Sequence, residues 1–268
     1  MRALSLHHLC VMDLSAVEVI DVAAELGCPH VCLFTFQPGT ALSMPIVTDT
    51  EVAAVRRRLR DAGVSVLGTT SFALEADTVI AGYEAGVERS AQLGAQHANC
   101  RIIDGDEARV IDHFGRFAEF CVSRGLIPLI EPSGYGLVDA LPQALRIFAA
   151  VGHGGLTLDP LHITRTGTRW EDVEALDPAW VRYVQICDGP ADAPPEAYFA
   201  EGGFDRLPPG EGDYPLDRLL GVTPEGMPLS IEIPCKTLRD RGLAGRDLAA
   251  EIIGRTRAWL ERQASSSN

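Results

Sequence analysis

Residues 126–162 read LIPLIEPSGYGLVDALPQALRIFAAVGHGGLTLDPLH, and this stretch decides the fold class. Ile127 to Glu131 is a short apolar run closed by an acid. DALPQALRIFAAVG (139–152) places its apolar residues on one helical face and stops at a glycine. Leu156 to Asp159 is again a short apolar run closed by an acid. A strand, a crossover helix and a second, parallel strand is the unit this pattern describes. The same unit recurs in both directions along the chain. Upstream runs are Leu4 to Leu9, His30 to Phe36, Ser65 to Thr70 and His97 to Ile102; downstream runs are Val181 to Cys187 and Leu229 to Ile233. Helical segments lie between most of them, such as SAVEVIDVAAEL (15–26), with Ser15 placed to cap its start and Gly27 to stop it.

Eight strand–helix units use up the 268 residues, which matches an α/β protein of the (β/α)8 TIM barrel type in one domain, since such barrels take about 250 residues. A doubly wound open sheet is the rival, but it concentrates its ligand at one switch point. The expected domain is 1–263, and the polar tail 264–268 reads as disordered. Two connectors are long, Gln37 to Asp49 and Asp188 to Tyr214. The second, rich in proline, glycine and acid, is expected to cover the active site.

With 23 basic against 37 acidic residues the formal charge is −14, which gives general nucleic-acid binding no electrostatic footing. No stretch reaches the roughly 20 apolar residues of a membrane span, and the N-terminal residues lack a signal-peptide pattern, so a cytoplasmic location is expected. The seven cysteines never form a CxxC pair and read as reduced core thiols.

A barrel of this class keeps its chemistry at the C-terminal ends of its strands. There the fifth strand ends in Glu131, the sixth in Asp159 with His162 three residues on, the seventh presents Gln185, and the eighth carries Glu232. One strand-end acid more often caps a helix or pairs with arginine. Four oxygen-bearing residues at matching depth on successive strands point instead to a hard divalent cation, because buried carboxylates need a counter-charge. His7 is a further candidate for the pocket. Asp188 is read as sharing the face of Gln185, beside the metal or the substrate. Phe34, Phe36, Phe72, Tyr135 and Tyr198 are candidates for the walls of the mouth. A phosphate site would call for a basic cluster, and none is clear.

The series IEPSGYG (130–136), LTLDPLH (156–162), VQICDGP (184–190), RLPPGEGDYPL (206–216) and SIEIP (230–234) resembles the xylose isomerase-like barrel superfamily, particularly its sugar phosphate isomerase/epimerase group. The resemblance covers essentially the whole chain. It implies a single divalent metal held by Glu131, Asp159, Gln185 and Glu232, substrate contacts from His162 and Arg206, and proton transfer by Glu131 and Glu232. The implied reaction is isomerisation or epimerisation of a small polyhydroxylated carbonyl compound, sugar or cyclitol, through a metal-stabilised enediolate, with His162 donating a hydrogen bond to the developing oxyanion. Gln185 departs from the group's pattern, which usually has His there. Glutamine favours Mg, Mn or Co over zinc and is similar to the pattern of some 3-dehydroshikimate dehydratases, so a lyase remains the alternative. A noncatalytic barrel subunit is a further alternative. The DNA-repair endonucleases of the same superfamily use a histidine-rich trinuclear zinc site, which this chain does not supply. Homo-oligomerisation through the outer helices is compatible with the resemblance.

Overall fold

A computed structural model describes residues 2–39, 42–135 and 140–266, apart from the side chain of Ser266. The strands are β1 Leu4–His7, β2 His30–Phe34, β3 Ser65–Leu74, β4 His97–Ile102, β5 Ile127–Glu131, β6 Gly155–Leu158, β7 Val181–Ile186 and β8 Leu229–Ile231. They pair in parallel in sequence order, and β8 returns to β1 through Leu4↔Leu229 and Leu6↔Ile231, closing the barrel. The helices are α1 Ala16–Glu25, α2 Val52–Ala62, α3 Glu84–Gln92, α4 Glu107–Val122, α5 Ala140–Val151, α6 Pro160–Arg165, α7 Trp170–Glu174, α8 Tyr198–Phe204, α9 Leu216–Gly221, α10 Lys236–Asp240 and α11 Gly245–Ser266.

Local chemistry accounts for the helix ends. Ser15 accepts from the Glu18 backbone N–H while the Glu18 carboxylate accepts from that of Ser15, a reciprocal cap on α1. Gly27 then takes φ 67°, the left-handed turn that lets the chain drop straight into β2. Burial follows helical spacing: Val52, Val55 and Leu59 on α2, and Val110, Phe114, Phe117 and Cys121 on α4, turn one stripe inward. These pack on the outward faces of the strands and form the main core. A separate buried cluster of Cys32, Leu67, Leu129 and Tyr183 packs inside the barrel, in the layered way that fills such barrels beneath the C-terminal face. All seven cysteines are buried and unpaired, as expected of core thiols.

The structure departs from the sequence reading in several places; β1, β2 and β8 each end two residues earlier than expected. β3 runs four residues further than expected, to Leu74. Phe36 and Phe72 are not wall residues of the mouth: Phe72 is fully buried and stacks on Phe36 at 5.7 Å and against Phe117 at 5.1 Å, beneath the helices. The long connector after β7 contains α8 and bridges back on itself between Asp188 and Leu207. The last helix continues through residues 264–266 of the tail set apart as disordered, while 267–268 lie outside the described residues. In the other long connector, residues 40 and 41 also lie outside them.

Candidate active site

A cavity of about 380 Å³ opens at the C-terminal end of the barrel and is lined by His7, Glu131, His162, Arg206 and Glu232 together with Phe34, Tyr135 and Phe199. Glu131 closes β5, where the ladder ends and the side chain turns to the axis; its Oε2 accepts from Asn99 Nδ2 at 3.2 Å. Asp159 follows β6 and caps α6, with Oδ1 accepting from the Leu161 N–H at 2.8 Å. Gln185 lies on β7 and donates through Nε2 to Glu232 Oε2. Arg206 comes from the connector that also carries α8, and its Nη1 donates to Asp159 Oδ2 at 2.6 Å while Nη2 lies 3.4 Å from Glu232 Oε1.

Each of these groups is nearly sealed from solvent, so the charges feel one another strongly. Burial resists ionisation of Asp159, yet Arg206, helped by the Leu161 N–H, outweighs it and holds the carboxyl below its usual range. Burial pushes Glu232 up to about 8; Arg206 opposes the shift, and Glu131 and Asp159 add to it. Arg206 meets the same desolvation but is held firmly protonated by Asp159 and Glu232. One guanidinium therefore faces three carboxyl groups, too few positive charges for all to ionise, and Glu232 is the one driven to keep its proton.

Hydrogen-bond accounting assigns both histidines of the cavity. The Leu9 N–H donates to His7 Nδ1 at 3.1 Å, so Nε2 carries the proton, 3.9 Å from Glu232 Oε2. Burial, then Arg206 and His8, push the His7 pKa down to about 3, keeping it neutral. Tyr198 Oη accepts from the Gly134 N–H at 3.0 Å and lies 2.5 Å from His162 Nδ1. The phenolic hydrogen needs an acceptor, and Nδ1 is in reach. His162 is then an Nε2–H donor, aimed between Glu131 Oε1 at 3.5 Å and Asp159 Oδ2 at 3.8 Å.

Of the residues singled out in the sequence, His7, Glu131, His162, Arg206 and Glu232 thus share the cavity. Asp159 and Gln185 do not line it but sit beneath, bonded to Arg206 and Glu232. Asp188 is a correction. It stands three residues after Gln185, an odd step that turns it to the other face. Its carboxylate accepts from the backbone N–H groups of Gly189, Gly210 and Tyr214 and folds the connector rather than meeting substrate. Tyr135 and Phe34 line the wall as expected, whereas Tyr198 stands behind His162. Asn99, Arg101, Ser71 and Glu75 were missed. For Asn99 and Arg101 a signal existed: in HANCRI (97–102) they are polar residues two apart, on one strand face.

The residues fit a hard divalent ion. Gln185 Oε1 is buried with no hydrogen-bond partner among the described residues, an acceptor left open beside a cluster of acids that lacks counter-charge. Glu131, Asp159, Gln185 and Glu232 offer oxygen donors. Ligand atoms of Glu131, Asp159 and His162 lie within 4.8 Å of one another, so His162 is an added nitrogen donor whenever its other tautomer is present.

Among curated proteins no sequence matches significantly. Several solved structures match over nearly their whole length. The IolI protein, crystallised with a bound zinc atom, is 17% identical with TM-score 0.78, covering 98% of each chain. The probable 3-DHS dehydratase AsbF of Bacillus anthracis is 17% identical with TM-score 0.69, over 93% of this chain and 97% of that one. A D-allulose 3-epimerase from Methylomonas sp. is 14% identical with TM-score 0.68, over 97% of each. At these identities the likeness speaks for the fold. The sequence itself carries the family: a profile described as xylose isomerase-like TIM barrel matches residues 20–263. With eight parallel strands closed in order and acids at the ends of β5, β6 and β8 gathered at one end, the chain belongs to the xylose isomerase-like TIM barrel family.

Proposed function

We propose that this protein is a divalent-metal-dependent enzyme that moves a proton next to the carbonyl of a small polyhydroxylated compound, as an isomerase or epimerase. The observation that carries the reading is that two buried carboxylates, Glu131 and Glu232, face the same cavity as the Nε2–H of His162. One carboxylate removes the C–H proton and keeps it, while the other, starting protonated, delivers its own proton to the opposite face or the neighbouring carbon. His162, itself buried, donates to the oxygen on which charge develops. Arg206 anchors the carboxylates and meets the hydroxyl-rich end of the substrate. A divalent ion bound by Glu131, Asp159, Gln185 and Glu232 supplies Lewis acidity toward the carbonyl oxygen.

A second reading is dehydration β to the carbonyl. Gln185 supports it, because the resemblance places His there in the sugar enzymes, and so does the likeness to a probable 3-DHS dehydratase. Both reactions begin with the same proton removal. They are told apart by incubating the Mn²⁺-loaded protein in D₂O with ketoses, cyclitol ketones and dehydroshikimate, followed by NMR and absorbance. Deuterium beside the carbonyl without new absorbance is expected of the isomerase. A strong new ultraviolet band from dehydroshikimate identifies the dehydratase. No exchange with any compound, together with no stabilisation by Mn²⁺ or Mg²⁺, would instead support a noncatalytic barrel.

A further inference from the structure

Two arginines line the cavity, and their circumstances differ. Arg206 is held by Asp159 and Glu232. Arg101 makes no ion pair among the described residues: Nη2 reaches only the Pro38 carbonyl at 3.3 Å, and Nε is buried without a partner. A desolvated guanidinium N–H left open is costly unless something arrives to accept it.

The strand sets where Arg101 points. Asn99 and Arg101 are two residues apart on β4 and share a face. Asn99 reaches Glu131 at the floor of the site, so Arg101 stands one step further out on the same inward row, beside Glu131 in the β4–β5 ladder. Its guanidinium lies 5.8 Å from the centre of the Tyr135 ring, which limits its swing. The open cation is thus on the cavity wall, outward of the acids that would hold the metal.

We infer that Arg101 binds a carboxylate of the substrate, which makes the natural substrate a small hydroxylated carbonyl compound bearing an acid group rather than a neutral sugar. A planar two-oxygen acceptor matches the guanidinium fork. A phosphate dianion fits less well. One arginine is the only uncommitted cation among the lining residues described, and Glu75 stands at the same rim above the acids of the floor. The identification of the carbonyl compound rests on the proposed proton-transfer reaction; the acid subsite rests on Arg101 alone.

The test is calorimetric titration of the full-length protein, with and without Mn²⁺, using shikimate, its neutral methyl ester and inositol 1-phosphate. Wild type is expected to bind the acid about ten- to a hundredfold more tightly than the ester. Arg101→Gln should erase that preference while binding the ester as wild type does, and Arg101→Lys, which keeps the charge but loses the fork, should fall between. Equal binding of acid and ester by wild type, a preference that survives Arg101→Gln, or no binding of either ring overturns the subsite. Tighter, Arg101-dependent binding of the phosphate overturns the choice of carboxylate. Proton exchange separates this from the proposed reaction. A preserved acid preference without exchange would sink the reaction alone, and exchange into an acid-bearing substrate unchanged in Arg101→Gln would sink the subsite alone.

Discussion

The hydroxyl of Tyr198 sits 2.5 Å from Nδ1 of His162 while the same oxygen accepts the Gly134 N–H. The connector after β7 thereby sets which nitrogen of a site histidine carries the proton. Tyr198→Phe removes the phenolic donor with little change in shape. The ¹⁵N shifts of His162 should move from a single Nε2–H tautomer toward a mixture, and turnover should fall about ten- to a hundredfold, the usual cost of losing a partner that orients a site histidine. An unchanged tautomer in the variant would refute the assignment.

Glu131→Gln keeps an oxygen donor and the side-chain shape but removes the base. Turnover in the D₂O assay should drop by about 10²- to 10⁴-fold, with ligand affinity largely retained. Metal content measured on the same sample separates the two tasks of the residue. A variant that binds Mn²⁺ but does not exchange has lost the base; one that exchanges normally shows that Glu131 is not the base.

Asp188 holds three backbone N–H groups at 2.9, 2.8 and 3.0 Å. Asp188→Ala leaves them without their acceptor, and hydrogen bonds to a charged group contribute about 1.5–3 kcal/mol each. Limited proteolysis between residues 190 and 213 should accelerate, and activity should fall through the misplaced Arg206. A direct substrate contact would instead raise KM with the connector still resistant to protease.

Acid stability should follow the buried histidines away from the cavity. His8 bonds the Leu14 carbonyl at 2.8 Å and His97 the Leu67 carbonyl at 2.7 Å, and burial lowers the pKa of both. Below about pH 6.5 the unfolded chain takes up protons that the folded protein refuses, so stability falls as pH drops, by up to about 1.4 kcal/mol per pH unit for each histidine. Melting temperatures at pH 7.5 and 5.0 should differ, and the difference should shrink in His8→Gln/His97→Gln. An equal acid loss in the double variant would place the effect elsewhere.

Strand–helix alternation made the barrel legible from residues alone, because a parallel strand needs an apolar run and its crossover helix an apolar stripe. β4 and β5 fall where the sequence puts them. The end of β3 was not legible: Ser71 to Leu74 extend the strand because β4 offers a ladder partner to Phe72 through Leu74, a long-range contact that local pattern does not contain.

The acids Glu131, Asp159 and Glu232 could be picked out in the same way, since an ionisable residue closing an apolar strand stands out against its neighbours. Their pairing could not. That Arg206 would span Asp159 and Glu232, that Asp188 would be consumed by backbone, and that Tyr198 would orient His162 all depend on how a 27-residue connector folds back over the mouth. Sequence alone determined the architecture and the chemical types at the strand ends, because both follow from local periodicity. Tertiary structure alone decided which groups face the cavity, which protons they carry and which cation is left open at Arg101, because those depend on distances between residues far apart in the chain.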